Sequence, residues 1–398
     1  MKLTRLQDID IRGKRVLVRV DYNVPFKNGE VGDTTRITET LPTLKHMIQA
    51  EAKIVLMSHL GRPKGKPVEE FSLRPVAKKL GELIGTKVHF ASDCLGEAAD
   101  SVISALKPGE IALLENLRFH PGEEANDDAF SAQLAKHGDI FIQDAFGTLH
   151  RAHSSTTGIP KHLKGGGIGF LVQKELEFLD RSIGNPVRPF VAILGGAKVS
   201  DKLKVIRRLL DRVDTLLIGG AMSYTFLQTQ GISIGKSLLE TERLKDAEEI
   251  IAAAFSKNVE LLMPADHLMA AEISDDAKTQ PSQGMAINTE MLGADIGPRT
   301  IELFTEKILE ARTIFWNGPM GVFEKKPFAA GSLAIAEALA EATEAGATTI
   351  VGGGDSLAVM SAAGLKGKVT HCSTGGGASL KFLEGAVLPG LQALAEAA

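Results

Sequence analysis

FVAILGGAKVSDKLKVIRRLL, residues 190–210, passes from an apolar run through two glycines into a helical pattern. Phe190 to Leu194 is continuous in apolar side chains, as a parallel strand buried on both faces would be. Gly195 and Gly196 break the run, and Val199, Leu203, Ile206 and Leu210 then recur at helical spacing. A helix starting here would project Lys198 and Lys202 from one face of its first turn. Cations at a helix N-terminus oppose the macrodipole, so helix stability does not account for them. An anion docked on free backbone N–H groups would. The stretch is therefore a candidate phosphate cradle, although not a P-loop, because GxxxxGK[ST] fits nowhere in it. Taken alone it reads at least as well as an ordinary βα turn with two solvated lysines.

The same alternation extends outward in both directions. Apolar runs at Val16–Val20, Ile54–Met57, Val88–Phe90, Ile111–Leu114 and Ile140–Ile142 precede it. Runs at Thr215–Ile218, Val259–Met263, Thr313–Phe315, Thr348–Val351 and Val369–Cys372 follow. Helical patterns such as Leu41–Ala50, Leu73–Ile84 and Asp127–Lys136 lie between runs. Alternating units of this kind predict α/β architecture with mostly parallel sheets and helices on both faces. At 398 residues two such Rossmann-like domains are expected. The joint falls at residues 171–189, where Val172, Leu176, Leu179 and Ile183 form one helical stripe before Gly184-Asn185-Pro186. That helix reads either as a hinge element or as an ordinary connection. Leu391–Ala398 resembles a short final helix whose packing partner the pattern does not give.

Composition excludes several classes. A net charge of −4 gives no general attraction to nucleic acid or to a membrane surface. No apolar run approaches a membrane span, and MKLTRLQDIDIRGKR lacks the apolar segment of a signal peptide. Cys94 and Cys372 lie far apart, without zinc-type spacing, and read as small buried groups in a reducing compartment. A soluble cytoplasmic protein is expected.

Ligands of open α/β sheets bind beyond the C-terminal ends of strands. In the first half those ends carry Asp21 and Asn23, then His59 and Arg62, then Arg118, then His150, Arg151 and His153, with Arg36 in the loop after the first strand. Each arginine alone could be a surface ion pair, but four at corresponding positions describe a pocket for a small, multiply charged anion. The histidines read as hydrogen-bonding groups, since no HExxH-type spacing accompanies them. In the second half the strand ends are rich in glycine: Gly195-Gly196, Gly219-Gly220, Gly318, Gly352-Gly353-Gly354 and Gly375-Gly376-Gly377. Backbone can approach a ligand closely there, which suits a nucleotide whose phosphates meet Lys198 and Lys202. Asp355 would repel phosphate unless Mg²⁺ lay between them, or it could cap the following helix. Glu324 could accept from ribose hydroxyls or be a solvated loop carboxylate. Arginines for a small anion and glycines with lysines for a nucleotide point to phosphoryl transfer.

These motifs resemble the phosphoglycerate kinase family from end to end. The resemblance is carried by RVDYNVP at 19–25, SHLGRP at 58–63, LLENLRFHPGE at 113–123 and DAFGTLHRAHSS at 144–155. It continues with GGAKVSDK at 195–202, GGAMSYTF at 219–226, GADIGP at 293–298, WNGPMGVFE at 316–324, GGGDS at 352–356 and STGGGASL at 373–380. It implies a 3-phosphoglycerate-binding domain over residues 1–170, an interdomain helix at 171–189 and a nucleotide-binding domain at 190–384, with a tail from about 385 to 398 returning to the first domain. It implies that Asp21, Asn23, Arg36, His59, Arg62, Arg118 and Arg151 hold the glycerate, with Arg36 and Lys198 catalytic. Lys198, Lys202, Gly219, Gly220, Gly293, Asn317, Glu324, Gly352, Gly353, Gly354, Asp355 and Ser356 would bind ADP or ATP, Asp355 taking the Mg²⁺. The helix start at Gly375, Gly376 and Gly377 would face the reaction centre. Leu149 stands where the family often has Ala and Ser356 where it often has Thr. A monomer undergoing hinge closure is expected, with no nucleic-acid or membrane partner. Two rivals are a nicotinamide oxidoreductase, which lacks its GxGxxG turn here, and a non-catalytic scaffold on the same fold, against which stands the presence of every matched site residue.

Overall fold

Every apolar run singled out in the sequence forms a strand in the computed structural model, which describes residues 3–397. The strands are, in chain order, β1 Arg15–Arg19, β2 Phe26–Lys27, β3 Glu30–Val31, β4 Lys53–Met57, β5 Val88–Phe90, β6 Ile111–Leu113, β7 Ile140–Gln143 and β8 Gly167–Ile168. They continue with β9 Phe190–Leu194, β10 Thr215–Ile218, β11 Glu260–Leu262, β12 His267–Ala270, β13 Thr279–Pro281, β14 Leu292–Ile296, β15 Thr313–Asn317, β16 Thr348–Gly352 and β17 His371–Cys372. By backbone contacts the chain divides into two units, Met1–Leu176 with Val387–Ala398, and Glu177–Ala386.

In the first unit six parallel strands run in the order β5-β6-β4-β1-β7-β8. Val16, Val18, Ile54, Leu56, Ile111 and Ile142 are buried in one core beneath helices that include Leu41–Gln49 and Arg74–Ile84. Each such side chain contributes roughly 1.5–3 kcal/mol by leaving water, so slipping any strand by one residue is costly. The chain leaves β1 toward β4 on one side, whereas β7 and β8 lie on the other, making the β1/β7 crevice the switch point. The final helix, Pro389–Ala397, belongs to this unit. Its Gly390 N–H donates to the Leu149 carbonyl at 3.0 Å, and a Cβ at residue 390 would lie 2.7 Å from Leu149 Cδ2.

In the second unit the parallel order is β11-β10-β9-β15-β16-β17, which along its own strands is the doubly wound order 3-2-1-4-5-6. The run Phe190–Leu194 is fully buried at the centre of this sheet, between β10 and β15. A small antiparallel sheet, β13-β12-β14, also belongs to this unit. It was not foreseen, because TQP in β13 is exposed and LGADI in β14 is only half apolar. The first unit's hairpin β2–β3 and short β8 were missed for a different reason: two-residue strands carry no period.

One expectation is corrected. The helix after β9 begins at Leu203 and ends at Leu209, so Lys198 and Lys202 do not share its first turn. Lys198 is exposed in the connecting loop, and Lys202 occupies the N-cap position. Val199, Ile206 and Leu210 are nevertheless buried, which is why the apolar spacing ran on through the loop.

Candidate active site

The carboxyl ends of β1, β4, β6 and β7 carry the polar residues of the first unit. Asp21 and Asn23 follow β1, and Arg36 stands on a single helical turn, Thr35–Thr38, rather than in open loop. The Arg36 Nη1 donates to Asp21 Oδ2, forming an ion pair whose carboxylate is buried. Burial pushes the Asp21 carboxyl up, but the charges around it, Arg36 foremost, outweigh this and bring its pKa down to about 2. Asn23 Oδ1 accepts from the Gly61 N–H at 2.9 Å, and Arg118 Nη1 donates to the Gly61 carbonyl at 2.8 Å. The glycine turn after β4 is thereby held between them, with Arg62 exposed directly beyond it. Arg151 Nε lies 3.3 Å from His150 Nε2.

Beneath this cluster lies a layer that the sequence reading missed. Arg19, on β1, is only 1% exposed. Its Nη2 donates to His59 Nδ1 at 3.1 Å and its Nε to Ser155 Oγ at 2.8 Å. Burial, reinforced by Arg19, Arg118 and Arg151, holds the His59 pKa well below its usual value. His59 is thus neutral, accepts at Nδ1 and carries its proton on Nε2. Its 3.8 Å approach to Asp21 is accordingly not an ion pair. Glu123, fully buried, accepts from the Ser155 N–H at 3.0 Å and the Ser155 hydroxyl at 2.6 Å, placing a carboxyl under the guanidinium groups; burial raises its pKa, and Arg19 opposes the shift. The signal for this layer was Arg19 inside the otherwise apolar run VLVRV, residues 16–20, whose significance appears only once its neighbours are known.

In the second unit, Lys202, Asn317, Gly353, Gly354, Asp355, Ser356, Gly376 and Gly377 line one cleft of about 220 Å³ together with Gly318 and Leu380. Burial lowers the Lys202 pKa to about 8, with Asp201 and Asp355 opposing the shift. Asp355 lies in the first turn of the helix Gly354–Ala362, yet the N-cap is Gly353 and no side chain makes a capping bond. The capping explanation of Asp355 therefore fails, and its exposed carboxylate is free to face the cleft's contents. Ser356 Oγ accepts from the Gly318 N–H at 2.6 Å and fixes the turn after β15. Asn317, 1% exposed, has an amide nitrogen, Nδ2, with no hydrogen-bond partner. A buried donor in that condition costs about 1–3 kcal/mol unless a ligand or water satisfies it.

The remaining candidates lie outside this cleft's lining. Gly352 ends β16, and Gly375 precedes the seven-residue helix Gly377–Leu383. Gly219 and Gly220 are close-approach positions: added Cβ atoms would lie 2.4 Å from Met320 Sδ and 2.5 Å from the Gly196 nitrogen. Gly293, on β14, would place a Cβ 2.2 Å from the Tyr224 hydroxyl. Glu324 is exposed on the loop after β15, and Lys198 on the loop after β9.

Two doubly wound α/β units, one with strand-end arginines of which Arg19 and Arg118 are buried, the other with a glycine-lined cleft bearing a lysine and an aspartate, define a phosphate-handling class of enzyme. The family model described as phosphoglycerate kinase matches residues 6–386. A phosphoglycerate kinase of Elusimicrobium minutum is 55% identical over 395 residues, covering 99% of both chains. One from an Anaeromyxobacter is 50% identical over 397 residues, covering 99% of this chain and 100% of the relative. The structure of phosphoglycerate kinase from Coxiella burnetii is similar at a TM-score of 0.88 and 41% identity, covering 99% of each chain. The chain belongs to the phosphoglycerate kinase family and is an enzyme, a kinase.

Proposed function

We propose that this kinase moves the acyl phosphoryl group of 1,3-bisphosphoglycerate to MgADP, reversibly, giving 3-phosphoglycerate and MgATP. The observation that carries the reading is the cleft in which the Asp355 carboxylate, the Lys202 ammonium and the unpartnered Asn317 amide lie together. A nucleotide's phosphates would satisfy the amide and the ammonium. Mg²⁺ fits the same place, since Asp355 is an exposed hard oxygen donor that makes no capping bond, and Mg²⁺ binds through one or two carboxylates plus phosphates. When bound it would neutralise charge on the phosphates.

The cluster of Asp21, Asn23, Arg36, His59, Arg62, Arg118 and Arg151 would hold the glycerate, with Arg36 nearest the moving group. Gly219, Gly220, Gly293 and Glu324 would line base and ribose, Gly352 to Gly354 and Ser356 the phosphates, and the Gly375–Gly377 turn the reaction centre. A carboxylate nucleophile has a pKa of about 4 and is already ionised at neutral pH, so the transfer requires no general base. That agrees with a cluster whose histidine is neutral and whose Asp21 is held by an arginine. The work left to the protein is alignment and neutralisation of charge on the equatorial oxygens, by Arg36, Lys198 and Lys202. Glycerate and nucleotide would bind to different units, so closure must bring them together and exclude water. We place the enzyme in the cytoplasm as a monomer; no helix among the described residues is long and apolar enough to cross a membrane. A coupled assay for ATP formation from the acyl phosphate and ADP tests the reading. Steady formation dependent on Mg²⁺ supports it, and its absence with intact protein overturns it.

A further inference from the structure

Asp93, Cys94 and His120, none of them part of the anion cluster, each offer one ligand atom, and these atoms all lie within 4.8 Å of one another. Among the described residues no other group of histidine, cysteine and acidic side chains converges in this way. Asp93 and Cys94 lie between β5 and the helix Gly96–Ala105, and His120 precedes the helix Pro121–Ala125. We propose that these three side chains form a binding site for a soft divalent cation of the Zn²⁺ type, with a fourth position left to water.

The donor set selects the ion. Thiolate and imidazole favour Zn²⁺ over Mg²⁺ or Ca²⁺, which take oxygen ligands. With bonds of about 2.0–2.3 Å, tetrahedral ligands stand roughly 3–4 Å apart, so these atoms, within 4.8 Å of one another, must draw in slightly to bind. The ligands are also held from behind. Asp93 Oδ1 accepts from the Cys94 N–H at 2.6 Å and the Leu95 N–H at 3.3 Å. His137 Nε2 lies 3.0 Å from the Cys94 carbonyl, fixing the other side of the same residue. The His120 ring rests 5.5 Å from the ring of Phe130, centroid to centroid. Such supporting contacts are what orient metal ligands. In the absence of metal His120 Nε2 and Asp93 Oδ1 are 2.7 Å apart and share a proton; on binding, the neutral ring gives this Nε2 proton to solvent and takes one up on Nδ1, so that Nε2 is free for the cation. Cys94 is buried and its thiol pKa is pushed up, so it is protonated until metal binds. Binding breaks the S–H bond and releases that proton to solvent, while His120 binds as the neutral ring protonated on Nδ1. The simpler alternative is a hydrogen-bonded His–Asp pair beside a buried thiol that has no affinity for metal.

Co²⁺ distinguishes the two, because a thiolate ligand gives it a near-ultraviolet charge-transfer band that oxygen ligands do not. The full chain, stripped with chelator, is titrated with Co²⁺ and then with Zn²⁺. The expected result is a band saturating at one ion per chain and abolished by stoichiometric Zn²⁺. Cys94→Ser should lose the band, and His120→Ala, at a partly exposed position, should weaken binding at least about tenfold while keeping the fold. No band in the native protein, a band undiminished in Cys94→Ser, or unchanged affinity in His120→Ala would each overturn the proposal. Kinase activity is not the readout, so the result is independent of the assignment of the nucleotide cleft.

Discussion

Arg36 is one-third exposed while its partner Asp21 is buried, so its guanidinium is anchored at one edge and open at the other. In the proposed role, beside the transferring phosphoryl group, such an anchored cation would act chiefly in the transition state. Arg36→Ala is expected to lower kcat by on the order of a thousandfold in steady-state assays. A rise in KM with kcat within about tenfold of native would make it a binding residue instead. Lys202 gives a pH dependence. With its pKa at about 8 in the free enzyme, it is partly neutral at mildly alkaline pH. A bound phosphate favours the ammonium, so ADP binding should take up a proton near pH 8.5 and weaken as pH rises through 8. Calorimetry in buffers of different ionisation enthalpy measures that proton directly, and no uptake would remove Lys202 from the phosphates. Asp355→Ala should weaken Mg-nucleotide at least tenfold while leaving 3-phosphoglycerate affinity nearly unchanged. Equal losses for both ligands would mean that the residue supports the fold rather than a metal.

At the scale of the element, the helix Phe170–Leu179 depends on a carboxyl that the anion cluster does not use. Asp144 Oδ1 accepts from the Leu171 N–H at 3.0 Å and the Val172 N–H at 3.3 Å, satisfying the helix's first turn. Burial raises the Asp144 pKa from 3.8 to about 7 despite these bonds. A folded-state pKa above the unfolded value means that its contribution is complete below about pH 4 and is lost as pH rises through 7. Asp144→Asn retains an accepting oxygen without the charge. Its stability relative to native should therefore improve between pH 6 and pH 8.5, by about 1–1.5 kcal/mol, because above pH 7 both states are ionised and the difference levels off. Thermal unfolding at the two pH values checks this, and a difference independent of pH would show that Asp144 is not ionising. Element boundaries were less legible than element types. The helix after β9 starts at Leu203 because the loop before it, although apolar at Val199, is drawn toward the glycine turns instead. Gly196 has φ +105° and Gly220 φ +65°, and the Gly196 N–H donates to the Pro319 carbonyl at 2.9 Å. Backbone at these ends is held by neighbouring turns, which no local propensity encodes.

At the scale of the whole molecule, the proposed placing of glycerate and nucleotide on separate units predicts closure. Small-angle scattering should give a smaller radius of gyration with 3-phosphoglycerate and Mg-nucleotide together than with neither. An unchanged radius with both bound would count against closure. The two units also differ in what they ask of the sequence. The second presents its chemistry in contiguous motifs, GGGDS and WNGP, because glycine turns after β15 and β16 put neighbouring residues into one cleft. The first assembles its cluster from β1, β4, β6, β7 and Ser155, and its deepest layer draws Arg19, Glu123 and Ser155 from three motifs far apart in the chain, so that only the fold brings them together.

By itself the sequence determined the alternating α/β architecture, the parallel strands and the strand-end arginines and glycines. Apolar runs of strand length and helical spacing are local consequences of burial, and motif order is preserved along the chain. Only the tertiary structure decided that Arg19 and Glu123 lie beneath the arginines, that His59 is neutral, that Asp355 is not a cap, and that Lys198 and Lys202 part company. It also decided that Asp93, Cys94 and His120 meet. These are properties of charge, desolvation and hydrogen-bond partners supplied by residues distant in the chain, and such partners exist only once the strands have taken their order.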